Sequence, residues 1–155
     1  MTSAGWTEQQ VREIVARHAK LEGPLLPILH AVQAAVGFVP REAIPVIADA
    51  LNLTRAEVYG VVSFYHDFRD KPPGRRIVKL CRAEACQAMG ANRMNAAVLH
   101  HFGIGWGETT PDGAVTVEAV YCLGLCSVAP AALVDDNPMG KLDAAHLIDG
   151  LENWR

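Results

Sequence analysis

The spacing of apolar residues changes character once along this chain. From Thr7 to about Tyr65 apolar residues recur at helical intervals; from Arg76 onward short β-branched runs alternate with helical stretches. Thr7 followed by Gln10 is a capping-box pattern, and Val11, Ile14, Val15, His18 and Leu21 continue it as an apolar stripe. Gly23-Pro24 breaks the stripe. A second helix is expected over 25–36, with Gly37 as its C-terminal stop. Its apolar residues (Leu25, Leu26, Ile28, Leu29, Val32, Val36) fall on more than one side, so it is expected to be buried. Phe38-Val39-Pro40 leads into a third helix over 41–51, carrying Ile44, Val46, Ile47 and Leu51. Thr54 and Glu57 form another capping box, opening a fourth helix through Tyr65. Val58, Tyr59, Val61, Val62 and Phe64 would suit a strand by propensity. The capping box decides for helix.

Lys71-Pro72-Pro73-Gly74 marks a linker over 67–75, which divides the chain into a helical bundle, 1–70, and a mixed domain, 71–155. The second part predicts a strand over 76–80 that delivers Cys81. One helix follows, from Ala85 or Gln87 to Phe102, with Asn92, Asn95 and His100 on its polar side and Gly103, Gly105 and Gly107 at its end. Thr110-Pro-Asp-Gly113 is a turn. A strand over 115–121 then delivers Cys122. Further strands are expected over 131–134 and 139–142, separated by a turn at Asp135–Pro138. Asp143 caps a last helix through Trp154. The fold class is α+β, and the second half has the order β-α-β-β-α.

Composition narrows the function. The chain has 155 residues, half of them hydrophobic and 20% charged, as in ordinary globular proteins. Its net charge of −3 leaves no basic footprint for nucleic acid. No run of about 18 apolar residues is present, so direct membrane insertion is not expected. Met1–Trp6 lacks the basic and apolar regions of a signal peptide, which points to the cytoplasm.

All four cysteines fall between Leu80 and Pro130, as Cys81-x4-Cys86 and Cys122-x3-Cys126 with 35 residues between the pairs. In a reducing compartment such thiols suggest metal binding. Each iron of a 2Fe–2S cluster takes two protein ligands, and thiolate suits iron. One loop presenting two sulfurs, met by a second loop presenting two more, satisfies that need. Gly124, without a Cβ, lets backbone N–H groups approach sulfur. Ala83, Ala85, Ala88, Leu123, Leu125, Val128 and Ala129 would surround the site with apolar groups. The spacing is also compatible with structural zinc. Two disulfides would imply export, and the C-x-x-C of a dithiol oxidoreductase is absent.

The order C-x4-C, about 35 residues, then C-L-G-x-C-x-x-A-P resembles the thioredoxin-like 2Fe–2S subunit family. That family includes the small flavin-side subunit of NADH:quinone oxidoreductase (complex I), γ subunits of NAD-dependent formate dehydrogenases, and a subunit of NAD-linked hydrogenases. The resemblance covers nearly the whole chain and fills all four ligand positions: Cys81, Cys86, Cys122 and Cys126. It implies a thioredoxin-like sheet after the helical bundle, one 2Fe–2S cluster, and single-electron exchange with a flavin. FMN and NAD would sit on a partner subunit rather than on this chain. Cys81-Arg-Ala-Glu-Ala-Cys86-Gln-Ala-Met-Gly90 looks most like the formate dehydrogenase γ branch, which implies a molybdenum-containing catalytic subunit in the wider assembly. By itself the chain is expected to turn over no substrate.

His18, His30, His66, His100, His101 and His146 lack metal-ligand spacing and are expected to be structural or solvated. Gly103-x-Gly105-x-Gly107 follows a helix and so is no dinucleotide fingerprint. Trp106 and Trp154 are candidates for partner contacts, with packing within the chain the favoured expectation. Arg82 and Glu84, between two ligands, are expected to be exposed, serving partner docking, potential tuning or solvation alone.

Overall fold

The computed structural model describes residues 5–153, so Trp154 lies outside the described residues. The chain forms two compact units, Met1–Pro72 and Pro73–Arg155.

The first unit holds helices α1 (Glu8–His18), α2 (Leu25–Val36), α3 (Ala43–Leu51) and α4 (Arg55–Phe64). The Thr7 side chain accepts the Gln10 N–H at 3.2 Å and starts α1. Val11, Ile14 and Val15 are buried, but Leu21 is exposed, because α1 ends at His18 and the chain turns away before Leu21. Gly37 stops α2 in the left-handed region (φ 92°), as its position implied. Arg41 and Glu42 form a turn after Pro40, so α3 begins two residues later than expected. The capping box at α4 is complete: Thr54 accepts the Glu57 N–H at 3.2 Å, and the Glu57 carboxylate accepts the Thr54 N–H at 2.7 Å. These bonds, the backbone one first, hold the Glu57 carboxyl below its ordinary value. Thr54→Ala removes the cap and is expected to destabilise the helical unit by ~1 kcal/mol in denaturant unfolding.

Residues 67–70 fold with the helices rather than acting as free linker. Gln33 is buried and must satisfy both ends of its amide. Its Nε2 donates to the Asp67 carbonyl and its Oε1 accepts the Arg69 N–H, both at 2.7 Å. Phe68 joins a core of Ile14, Ile28, Leu29, Ile47 and Val58.

The second unit contains a five-stranded sheet and three helices: β1 (Arg76–Cys81), α5 (Glu84–Ala88), α6 (Ala91–Phe102), β2 (Glu108–Thr109), β3 (Val115–Val120), β4 (Ala132–Val134), β5 (Asn137–Met139) and α7 (Ala144–Asn153). The sheet order is β2-β3-β1-β4-β5; β1 and β3 are parallel and the other pairs antiparallel. Four expectations need correction. The single helix over 85–102 is two, because Gly90 takes a left-handed conformation (φ 91°) between α5 and α6. β2 was not anticipated; two residues carry too little pattern to register. The strand expected over 139–142 is β5, Asn137–Met139: Asp135 and Asp136, at φ 47° and 66°, make a tight two-residue turn. Edge position lets Pro138 stand in that strand without breaking a ladder. Finally, Asn95 lies inside, on the α6 face carrying Ala91, Met94, Val98 and Phe102, rather than on a polar side.

Asp143 caps α7 by accepting the His146 N–H at 2.9 Å, and its second oxygen meets the His146 ring. The backbone bond, then the ring, hold the Asp143 carboxyl below its ordinary 3.8. The Asp143 side chain in turn raises His146 above 6.5, with Asp149 adding a little. Stability from Asp143 is present above its unfolded value and is lost as pH falls through the folded one. Stability from His146 is present below its unfolded value and is lost as pH rises through the folded one. Both act together between the ordinary values, 3.8 and 6.5. Asp143→Asn is expected to return the His146 titration, followed by NMR, toward 6.5.

Candidate metal centre

Parallel pairing of β1 and β3 decides where the cysteines go. Cys81, the last residue of β1, is in register with Val120, the last of β3. Cys122 follows two residues later, so both cysteine segments leave the sheet at the same end. Cys86 lies one turn on, within α5. Cys126 opens a short 3-10 turn, Cys126–Val128. All four thiols are free.

The two loops meet. Backbone N–H groups of Ala83, Cys122 and Leu123 lie near the Cys81 sulfur, as does the Cys86 thiol. Burial acts to raise the Cys81 pKa, but these donors outweigh it and hold the thiol below its ordinary value. Burial, then the bond to Cys81, pushes Cys86 up, against the N–H of Ala131. The bond to Cys122 and then its charge push Cys126 up, and Cys81 adds to this across the loops. Gly124 N–H approaches the Cys122 sulfur at 3.4 Å. Successive N–H groups at 122–124 thus line a concavity suited to an anion. The loop reaches this shape through left-handed residues, Cys122 at φ 88° and Gly124 at φ 74°. A non-glycine there costs roughly 1–3 kcal/mol and is tolerated where surrounding structure demands it.

Pairing and burial are both uneven. The Cys122 and Cys126 sulfurs stand 3.9 Å apart. A tetrahedral metal with thiolate bonds of about 2.3 Å spaces two sulfurs by about 3.8 Å, so this pair fits one metal atom. Among the described residues no three His, Cys, Asp or Glu side chains gather as ligands of a single ion. The arrangement is two pairs, which suits two irons better than one zinc. Cys81 and Cys86 are buried with Ala91, Ala129 and Ala131, and Ala83, Val120, Leu123 and Leu125 pack around them. Cys122 and Cys126 are exposed. Of the apolar surround expected from the sequence, Ala83, Leu123, Leu125 and Ala129 are there, whereas Ala88 is exposed and Val128 packs at Gly140. A thiolate-rich, N–H-lined pocket of this kind fits a 2Fe–2S cluster.

A sequence profile described as thioredoxin-like [2Fe-2S] ferredoxin matches residues 11–155. The chain belongs to that family. Its cofactor is a 2Fe–2S cluster, and its fold, with mixed sheet and helices, is the thioredoxin-like one. A subunit of NADH-quinone oxidoreductase from Mycobacterium bovis is 35% identical over 150 residues, covering 94% of this chain and 59% of its own length. A subunit of the same kind of oxidoreductase from Rhizobium meliloti is 35% identical over 147 residues, covering 95% and 88%. NADP-reducing hydrogenase subunit HndA of Solidesulfovibrio fructosivorans is 32% identical over 134 residues, covering 86% and 78%. Among solved structures, an air-oxidised NAD+-reducing [NiFe]-hydrogenase superposes with TM-score 0.70 at 30% identity, over 83% of this chain and 22% of that one. The chain therefore spans 59% of the mycobacterial relative and a smaller share of the hydrogenase chain.

Residues outside the cysteines meet their expectations only in part. Glu84 is exposed as expected, but Arg82 is half-buried, its guanidinium over the Trp106 ring. Trp106 packs within this unit. His18 meets the Ile14 carbonyl, His101 meets Glu152 and His146 meets Asp143, which are structural roles. Sequence reading missed Asn95, whose Nδ2 donates to the Cys81 carbonyl at 3.4 Å while its buried Oδ1 has no partner among the described residues. Its helical position beside Met94 and Val98 was the available sign.

Proposed function

We propose that this chain is a one-electron relay within a larger NAD(P)-linked oxidoreductase, and that Cys81, Cys86, Cys122 and Cys126 hold its cluster. One observation carries the reading: parallel β1 and β3 end in register at Cys81 and Val120, so Cys81 and Cys122 leave the sheet at the same end and two loops far apart in sequence build one sulfur-lined pocket. When bound, the cluster supplies a one-electron couple on thiolate-ligated iron. The chain's own residues do the rest. The N–H donors stabilise negative charge on sulfur, and the alanines around Cys81 and Cys86 keep water from the inner pair. The exposed outer pair, Cys122 and Cys126, is the side through which electrons would pass.

The electron partner in this reading is a flavin on an NADH-binding subunit, and the chain alone turns over no substrate. Exposed aromatics at and just after α4, Tyr59, Phe64 and Tyr65, with a cavity of about 270 Å³ lined by Tyr59 and Tyr65, offer the helical unit as a docking face for that subunit. Among the described residues no helix is long and apolar enough to cross a membrane. A cytoplasmic location goes with the reading. The quinone oxidoreductase and hydrogenase relatives support the broad setting. Within it we favour a formate dehydrogenase, with a molybdenum-containing subunit in the assembly, on the likeness of residues 81–90 to the γ branch. Complex I and NAD-linked hydrogenase are the alternatives.

Metal analysis and isolation from the native cell test both levels. Brown protein with ~2 iron and ~2 acid-labile sulfide per chain is expected. Colourless protein with stoichiometric zinc overturns the cluster assignment. Co-purification with flavin and molybdenum subunits supports formate dehydrogenase; co-purification with membrane subunits or a nickel subunit overturns that choice in favour of an alternative.

A further inference from the structure

We propose that Arg82 is the charge that sets the reduction potential of this site, held in place by Trp106 and Tyr121. The inference rests on the cysteine ligation proposed above. Arg82 follows Cys81 directly, and its backbone is tied on both sides. Its N–H donates to the Val120 carbonyl at 2.8 Å, and its carbonyl accepts Nε2 of Gln87 at 2.7 Å. The guanidinium carbon lies 4.8 Å from the Trp106 ring centroid and 6.0 Å from that of Tyr121, the residue before Cys122. The side chain thus bridges the roots of both cysteine loops.

Two other arginines of the chain are neutralised: Arg12 pairs with Glu8 and Arg76 with Asp135. Arg82 is held by rings instead, with no carboxylate paired to it among the described residues. Cation–π contact fixes a guanidinium without cancelling its charge. A docking arginine would extend into water; this one is half-buried against Trp106. Partial burial also weakens screening, so the charge acts more strongly on its surroundings.

A cluster on four thiolates is anionic and gains one more negative charge on reduction. A fixed positive charge beside a ligand favours the reduced state and raises the midpoint potential. Arg82→Gln removes the charge, Arg82→Lys keeps it without the planar stacking face, and Trp106→Leu keeps the arginine but frees it.

The test is a dye-mediated potential titration of the full chain loaded with iron and sulfide, read by EPR. At the wild-type midpoint, R82Q is expected to lower the ratio of reduced to oxidised protein about tenfold, a shift of ~59 mV for one electron. R82K should restore most of the loss. W106L should make the midpoint more sensitive to salt, because a solvated arginine is screened. A loaded R82Q with the wild-type midpoint overturns the inference while leaving the ligation intact. An R82K as low as R82Q does the same by showing that packing, not charge, matters. If R82Q fails to load, W106L decides: an unchanged midpoint and salt response overturn the proposal. A wild-type chain without iron and sulfide overturns both it and the ligation reading.

Discussion

Cys122→Ser is expected to abolish or severely reduce iron incorporation while the helical unit keeps its far-ultraviolet circular dichroism. Serine has the same Cβ and nearly the same shape, so the left-handed backbone at φ 88° is strained to the same degree in both proteins. What changes is the ligand atom. One metal atom then keeps only Cys126 as its protein sulfur, and a neutral hydroxyl is a harder, poorer partner for iron than thiolate. The Gly124 N–H, 3.4 Å from the native sulfur, would then face a neutral hydroxyl oxygen instead of a thiolate. The helices α1–α4 have their own core around Ile14, Leu29, Ile47 and Val58 and their own caps at Thr7 and Thr54. Iron and sulfide analysis beside circular dichroism checks the prediction; normal iron content in the variant contradicts the ligand assignment.

Gly140→Ala is expected to destabilise the second unit by about 1–3 kcal/mol and to lower cluster loading, although residue 140 is no ligand. A Cβ at Gly140 would stand 2.5 Å from Val128 Cγ2 and 2.8 Å from the Val128 carbonyl oxygen. Rotating the valine side chain cannot relieve the contact with a backbone oxygen. That oxygen is also pinned, since it accepts the Lys141 N–H at 2.6 Å. Val128 closes the 3-10 turn begun at Cys126, with its N–H on the Leu125 carbonyl at 3.0 Å. The clash therefore passes directly into the turn that aims the Cys126 sulfur. Thermal unfolding and iron content, measured together, check it: wild-type stability with full loading would show that the turn yields without cost.

Both predictions depend on features of very different legibility. The cysteine spacing, the side-chain cap at Thr7, the full capping box at Thr54 and the Gly37 stop are local patterns, and the caps and the stop are realised by hydrogen bonds within a few residues. That is why α4 is a helix despite its β-branched and aromatic content. Gly140 has no such pattern. Its role exists only because the strand after the Asp135-Asp136 turn returns the chain to Val128. Arg82 and Asn95 are similar cases. In sequence Arg82 lies between Cys81 and Ala83, and Asn95 between Met94 and Ala96, whereas their neighbours in space are Trp106 for one and the Cys81 carbonyl for the other. The break at Gly90 lies between. A glycine is visible, but glycine within a helical pattern is tolerated often enough that only the left-handed backbone decides.

By itself the sequence determined most of the elements, though not β2, the α5–α6 break or the bounds of β5, and which atoms can bind metal, because caps, turns and thiols act through groups adjacent along the chain. Only the tertiary structure decided that Cys81 and Cys122 share one pocket, since the parallel register of β1 and β3 sets where each strand ends. It also decided that one sulfur pair is buried and the other exposed, because burial is a sum over neighbours that distant segments supply.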